Sequence, residues 1–428
     1  MKSRIFIALL LAVSGCRNSN PVSPIKEQPP TLTVEDVSCT EVWLKISVPG
    51  ANNETVTIQR DTTVIDTIRL TTADTTIVDA NVLPSHTYTY TLAMSGVKSV
   101  TAQARTMDTT SHAFTWQSFT FGDGGGSCVL NDVAIINDTL AYAVGEIYIG
   151  GTISNCARWN GQRWDTLHIF VTLTYTGSQI VTDQDPLMTI LAFNENDIWV
   201  VSRAGGVSHW NGTQWMMLSI PFNQGPGACN KMWGTSSSNL YFVGNEGRII
   251  YYNGTSWTQI SSGTTLDVRA IWGAQNANTG SLEIYATAGN PYISPDRTIL
   301  QISGTTAKAI STAGIFSALN GIWFSPEQYY WLAGDGECEK HPTLSASSWN
   351  SLLLSGYTTD AVRGNALNDV FMCGAYGEFL HFNGVSWKSY ITQTGIDGAY
   401  LGLSVSGNTV IAVGYLSSSQ AIILMGKR

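Results

Sequence analysis

The chain has 428 residues, a formal net charge of −9, and only 12% charged residues against the roughly 25% of an average soluble protein. No Lys or Arg cluster interleaves with the aromatics, which excludes a nucleic-acid backbone as a partner, since that requires a basic stripe. The 41 Gly, 14 Trp and 17 Tyr, with no long Leu-Glu-Lys-Ala stretch, exclude a helical protein and predict an all-β chain.

Met1 to Gly15 reads as a processing signal. Lys2 and Arg4 form a positive start, and Ile5 to Val13 an apolar core too short to span a bilayer. After it no run of about 18 apolar residues occurs, so no spanning helix is expected. Val13-Ser14-Gly15-Cys16 resembles the bacterial lipobox, a branched aliphatic and two small residues before Cys. The resemblance implies that Cys16 is lipidated and becomes the mature N-terminus, with the protein held on the membrane by that anchor. Arg17, rather than Asp, follows the Cys. Under the enterobacterial sorting rule this implies an outer-membrane lipoprotein of the cell envelope, with the leaflet left open. Residues 16–30, rich in Pro and Asn and without apolar period, are expected to be a disordered tether.

Residues 31–107 alternate apolar and polar positions in short runs: Val42, Leu44 and Ile46; Val56 and Ile58; Ile77 and Val78; Tyr88, Tyr90 and Leu92. Leu83-Pro84-Ser85-His86-Thr87-Tyr88 resembles the tyrosine corner of fibronectin type III domains. The resemblance implies a small β-sandwich acting as a spacer, although the Trp expected on its second strand is replaced by Ile46.

The remainder, 113–428, is built on a recurring phrase. Asn-Gly, two residues, then Trp stands at Asn160–Trp164, Asn211–Trp215, Asn253–Trp257 and Asn383–Trp387, with a degenerate copy at Ser345–Trp349. The second and third copies lie 253 − 211 = 42 residues apart, a propeller-blade period. First strands are expected near Val133, Ile190, Met232, Ile271, Ile322, Val362 and Leu403. Second strands end in Gly, at Gly244, Gly334, Gly374 and Gly414. The chain stops in a third strand, Ala421 to Arg428, and Ala113 to Phe119 carries Trp116 where a fourth strand would carry its Trp. A seven-bladed β-propeller closed by this N-terminal outer strand follows, a closure that removes free sheet edges. The Asn-Gly-x-x-Trp turn is similar to the Asp-box hairpin of sialidase-like propellers, with Asn in place of Asp, which implies a structural role away from any active site. Of the remaining cysteines, Cys128 and Cys156 are spaced to bridge within one blade, with buried free thiols the alternative.

Ligand-binding residues are therefore sought in the non-repeating loops. These gather Tyr175, Asp183, Asp185, Asp296, Arg297, Glu337, Glu339, His341 and Asp123. Glu337, Glu339 and His341 suit a divalent ion if their loop curls, and Asp183 with Asp185 suits Ca²⁺; no other cofactor is expected. No Ser nucleophile elbow, phosphate loop or His-Glu-x-x-His motif occurs. The expected function is non-catalytic: a monomeric, lipid-anchored binding protein offering its loop-rich face to a glycan, peptide or envelope protein. The alternative is a glycan-active hydrolase or lyase using loop carboxylates.

Overall fold

The computed structural model describes residues 28–175, 178–220, 229–276, 279–290, 294–340 and 348–428. Cys16, the signal segment, most of the tether and His341 lie outside the described residues. Among the described residues no helix is long and apolar enough to cross a membrane. The described chain forms two compact units, one built on Trp43–Asp79 and Tyr88–Ala104, the other on Arg105–Arg428.

The smaller unit contains a four-stranded sheet in the spatial order Thr63–Leu70, Glu54–Arg60, Thr87–Met94, Val97–Arg105. A three-stranded sheet orders Thr31–Val37, Val42–Ser47 and Asp74–Asp79. The period-2 alternation puts Leu44, Ile46, Val56, Ile58, Tyr90 and Leu92 in the core. The buried tyrosine hydroxyl belongs to Tyr90 rather than Tyr88: it donates to Asp79 Oδ2 at 2.8 Å, and Arg60 Nη1 pairs with the same carboxylate at 2.9 Å. Tyr88, at the start of its strand, is only half-buried, with the Arg60 guanidinium over its ring.

The larger unit is a succession of four-stranded antiparallel sheets, each ordered as it runs in sequence. Their inner strands are Val129–Asn137, Leu187–Asn194, Lys231–Ser236, Val268–Gln275, Leu319–Ser325, Thr359–Ala366 and Gly398–Ser406. Each inner strand packs beside the next, and the strand at Gly398–Ser406 packs beside Val129–Asn137, so the inner strands form a closed ring around a channel. This is the arrangement of a β-propeller. The final sheet takes its outer strand from Thr115–Phe121, antiparallel to Ala421–Lys427 with Trp116 opposite Gly426. An extra hairpin, Val171–Tyr175 with Ser178–Thr182, follows the first of these sheets.

Apolar runs rather than strict alternation mark these strands, because both faces of most sheets are covered by neighbours. Large-to-small contacts set the spacing. Trp233 lies on Gly273 of the next sheet and Trp323 on Gly364, where a Cβ would come within 2.4 and 2.8 Å of the indole.

The repeated phrase closes four of the outer hairpins. Asn160, Asn211, Asn253 and Asn383 each accept two backbone N–H bonds through Oδ1, for example Thr255 N at 3.0 Å and Ser256 N at 2.8 Å on Asn253. The following glycines sit at φ between 89° and 95°, which a Cβ disfavours. Each Trp then stands opposite the last residue of the third strand, giving the pairs Trp159–Trp164, Trp210–Trp215, Tyr252–Trp257 and Phe382–Trp387. Ring separations run from 4.4 to 5.8 Å. The described cysteines, including Cys128 and Cys156, are buried free thiols.

Candidate functional site

Antiparallel pairing puts the starts of the inner strands, the second-to-third strand turns and the fourth-to-first connections at one end of the channel. There, almost every inner strand slips register by one residue against its second strand. The skipped residues are Asn131, Met188, Arg269, Asn320, Asp360 and Leu401. In the remaining sheet Asn230 N donates to Val243 O at 2.6 Å while Lys231 is the paired residue, so Asn230 takes the same place. A bulge leaves its extra residue outside the ladder and re-aims the side chain. All of these residues line one cavity of about 290 Å³ at the channel mouth.

Three of the second-strand glycines expected from the sequence, Gly334, Gly374 and Gly414, are required by this geometry, and so is Gly145, which sequence reasoning did not single out. A Cβ on Gly145, Gly334, Gly374 or Gly414 would sit 2.0, 2.0, 2.1 or 1.8 Å from the carbonyl oxygen of Val129, Ala318, Thr358 or Ala399, just ahead of the bulge.

Three of the bulged residues are Asn, and each ties its sheet to the next. Asn131 Nδ2 donates to Leu187 O at 2.9 Å, Asn230 Nδ2 to Val268 O at 3.1 Å, and Asn320 Nδ2 to Thr359 O at 3.3 Å. Each acceptor immediately precedes the bulge of the following sheet. Asn320 Oδ1 is buried and has no hydrogen-bond partner among the described residues.

Charged groups fill the channel below. Lys231 Nζ meets Asp132 Oδ1 at 2.7 Å across the lumen, and Asp132 Oδ2 also accepts from Thr189 Oγ1 at 2.8 Å and Ile190 N at 3.1 Å. Arg363 donates to the Val362 and Ile322 carbonyls at 2.7 and 3.4 Å and lies 4.8 Å from the Trp272 ring centroid. Arg269 makes no side-chain hydrogen bond or ion pair among the described residues. Burial pushes the Asp360 carboxyl up to about 7 against the opposing pull of Arg269. A further cavity of about 180 Å³, walled by Ile135, Leu191, Trp233, Trp272 and Val405, continues the channel past Asp132 and Arg363.

Beside the mouth, two carboxylates are fully enclosed. Thr359 Oγ1 lies 3.0 Å from Glu337 Oε1 and 2.6 Å from Glu378 Oε2, and Ser355 Oγ also contacts both groups. Burial lifts Glu378 to about 7, with Glu337 and Asp360 adding to the rise and the Thr359 hydrogen bond opposing it.

The residues singled out from the sequence do not converge. Asp183 pairs with His168 at 3.1 Å, and Asp185 accepts from Ala204 N at 2.9 Å, so each is engaged locally. Asp123 likewise holds its own loop through Gly125 N and Gly150 N. Tyr175 ends the first strand of the extra hairpin. Asp296 and Arg297 lie within strand Ser294–Ser303, not on a loop, because pairing with Leu282–Asn290 extends further than expected. Glu337 and Glu339 also belong to a strand, Glu337–Lys340, and Glu337 is entirely buried by the hydroxyls opposite it. Among the described residues no three His, Cys, Asp or Glu side chains are grouped to hold a metal ion. Reasoning from the sequence missed the bulged residues, although Asn230, Arg269 and Asn320 each stand three positions before Trp233, Trp272 and Trp323.

Exposed apolar side chains crowd the connections at this same end. Phe316 is 81% exposed, Leu353 90%, Tyr357 43% and Tyr376 59%. The Tyr357 and Tyr376 rings lie 5.3 Å apart. Tyr376 holds φ at +56° ahead of Gly377 at +77°, a left-handed position that favours Asn or Gly over a bulky aromatic. Glu246 and Gly247 form the equivalent turn three sheets earlier.

Sequence comparison matches the chain to no family model and to no curated protein. Among solved structures, one described as YCF48 bound to D1 peptide superposes with a TM-score of 0.51 at 15% identity, covering 73% of this chain and 97% of its own. Another, YCF48 from Cyanidioschyzon merolae, gives 0.50 at 12% identity, covering 72% and 98%. At such identity the likeness establishes the fold alone, and that fold is a β-propeller.

Proposed function

We propose that this is a non-catalytic, lipid-anchored protein of the bacterial cell envelope. In this reading a fibronectin type III-like domain carries a seven-bladed propeller, the blades being the sheets whose inner strands begin at 129, 187, 231, 268, 319, 359 and 398. The mouth face docks an extended segment of a partner protein. The observation that carries the reading is the arc of Phe316, Leu353, Tyr357 and Tyr376, exposed together on successive connections of one face. Such a patch on a chain of low charge marks an interaction surface, and aromatic side chains supply large contact area at low entropic cost. That a propeller of similar fold has been solved with a peptide supports the reading by analogy of fold only. The enclosure of Glu337 and Glu378 speaks against their use on a substrate.

The test is crosslinking capture from the native envelope with the wild-type chain and a Leu353→Ser, Tyr357→Ala, Tyr376→Ala variant. A partner retained by the first and lost by the second, at unchanged melting temperature, is expected. Release of reducing ends from an envelope polysaccharide panel, abolished by Glu337→Gln, would replace binding with hydrolysis. Cys16→Ala should abolish incorporation of labelled fatty acid; incorporation that persists would remove the anchor from the proposal.

A further inference from the structure

We propose that the channel mouth binds a carboxylate, with Arg269 as the group that receives it and Arg363 behind it. Three cations reach this part of the channel, Lys231, Arg269 and Arg363. Lys231 is matched, since Asp132 holds it at 2.7 Å. Arg363 spends its hydrogen bonds on two neutral carbonyls and its face on Trp272; Asp132 attracts it through space but is bonded to Lys231, so no carboxylate is hydrogen-bonded to Arg363 among the described residues. Arg269 is unspent: a bulge turns it into the cavity and none of its N–H donors is used among the described residues.

The acidic groups nearby are engaged elsewhere. Asp267 Oδ1 accepts from Glu246 N at 3.0 Å, and Asp360 Oδ1 from Asn320 Nδ2 at 3.3 Å. Asp360 and Asp132 attract the two guanidinium groups from a distance, but neither is hydrogen-bonded to them, so in this concave, partly desolvated site an anion that reaches the free N–H donors directly gains the charge-assisted bonds those carboxylates do not make. The fork of N–H donors on Arg matches a carboxylate in two parallel bonds. A metal ion is disfavoured by the same cations. The cavity admits a group of a few heavy atoms at the end of a flexible chain, not a polymer. The carboxylate has two possible sources, a residue of a peptide or a free small acid. The site stands on the channel geometry and does not depend on the docking arc proposed above.

The experiment follows the Arg Nε–Hε signals of the isotope-labelled full chain in detergent during titration with glutarate. Neutral glutaramide, inorganic phosphate, N-acetylglycine and N-acetylglutamate N-methylamide are run in parallel. The signal absent from an Arg269→Gln variant is assigned to Arg269. A saturable shift of that signal by glutarate is expected, with no shift by glutaramide and at least a tenfold weaker response at neighbouring signals in Arg269→Gln. Arg269→Lys, which keeps the charge without the fork, should fall between them and guards against a folding defect in the Gln variant. Tighter binding of the two blocked amino acids than of glutarate assigns the site to peptide, and the reverse to a free acid. No saturable shift, an equal response to glutaramide, or a response to phosphate alone overturns the proposal. Tyr357→Ala and Tyr376→Ala should leave the glutarate response intact, so failure of the docking arc and failure of this site are read separately.

Discussion

Gly334 and Ala318 meet backbone to backbone: a Cβ on Gly334 would stand 2.0 Å from the Ala318 carbonyl oxygen. The contact holds the register slip that turns Asn320 into the channel, and it recurs as Gly374 on Thr358 and Gly414 on Ala399. Gly334→Ala must push the two strands apart, and overpacking of this kind costs about 1–3 kcal/mol. Chemical denaturation should show a loss in that range for Gly334→Ala. By contrast Gly304→Ala, where a Cβ meets nothing within 4 Å at φ +55°, carries only the cost of its backbone conformation. Equal losses at the two sites would refute the close-approach argument.

That difference marks what a sequence can and cannot display. The Asn-Gly-x-x-Trp turns, the second-strand glycines and the stray Trp116 are visible because each is a local chemical requirement that repeats with the sheets. The bulged residues are not, because a one-residue slip is decided by pairing between strands and its occupants differ: Asn131, Met188, Asn230, Arg269, Asn320, Asp360 and Leu401 share a place, not a type. Glu337 shows the opposite failure. In Asp335-Gly336-Glu337-Cys338-Glu339 it reads as part of a solvated loop, and only Ser355 and Thr359, some twenty residues on, reveal that it is buried.

Asn253 performs its turn through one carbonyl oxygen, which accepts from Thr255 N and Ser256 N. Carboxylate oxygens serve equally, so Asn253→Asp should keep the melting temperature within a degree or two. Asn253→Ala removes that acceptor and both backbone hydrogen bonds, and should cost about 1 kcal/mol. If Asp and Ala behave alike, the side-chain oxygen is not what holds the hairpin.

Arg428 reaches back to the neighbouring sheet, where its two terminal nitrogens lie 2.6 Å from the two oxygens of Asp369. Asp369 also takes His381 Nε2 at 2.9 Å and is almost wholly buried. Burial alone would raise its carboxyl, but the bonds from His381, Arg428 and Asn365 outweigh it and leave the group below its ordinary value. Arg428→Ala strands a buried carboxylate and should cost about 3 kcal/mol. Because the pair is shielded, the loss should persist at 1 M salt, where an exposed pair would be screened. A loss that vanishes in salt would place the pair at the surface.

The enclosed pair of glutamates predicts the shape of the stability profile. Thr359 and Ser355 bring two hydroxyl protons to four hydroxyl–carboxyl contacts, so the remaining contacts are made when a carboxyl itself carries a proton. Burial raises Glu378 from an ordinary 4.5 to about 7. A raised carboxyl stabilises the fold fully below its unfolded value, and that contribution is lost as pH rises through the folded value. Unfolding free energy from this source should therefore fall between about pH 4.5 and pH 7, by an amount on the order of 2 kcal/mol. Asp360, also raised to about 7, adds to the fall. His112 and His381, both held below their ordinary range chiefly by burial, work in the opposite sense and lose stability as pH falls. The Glu378 contribution is isolated by comparing wild type with Glu378→Gln, which keeps the shape and a fixed N–H donor. Urea midpoints at pH 5, 6, 7 and 8 should converge for the two proteins at pH 5 if the Gln fits, and diverge in favour of the variant at pH 8. A difference that stays constant across that range would mean that the pair is ionised throughout and that the proton inferred from its hydrogen bonds is not there.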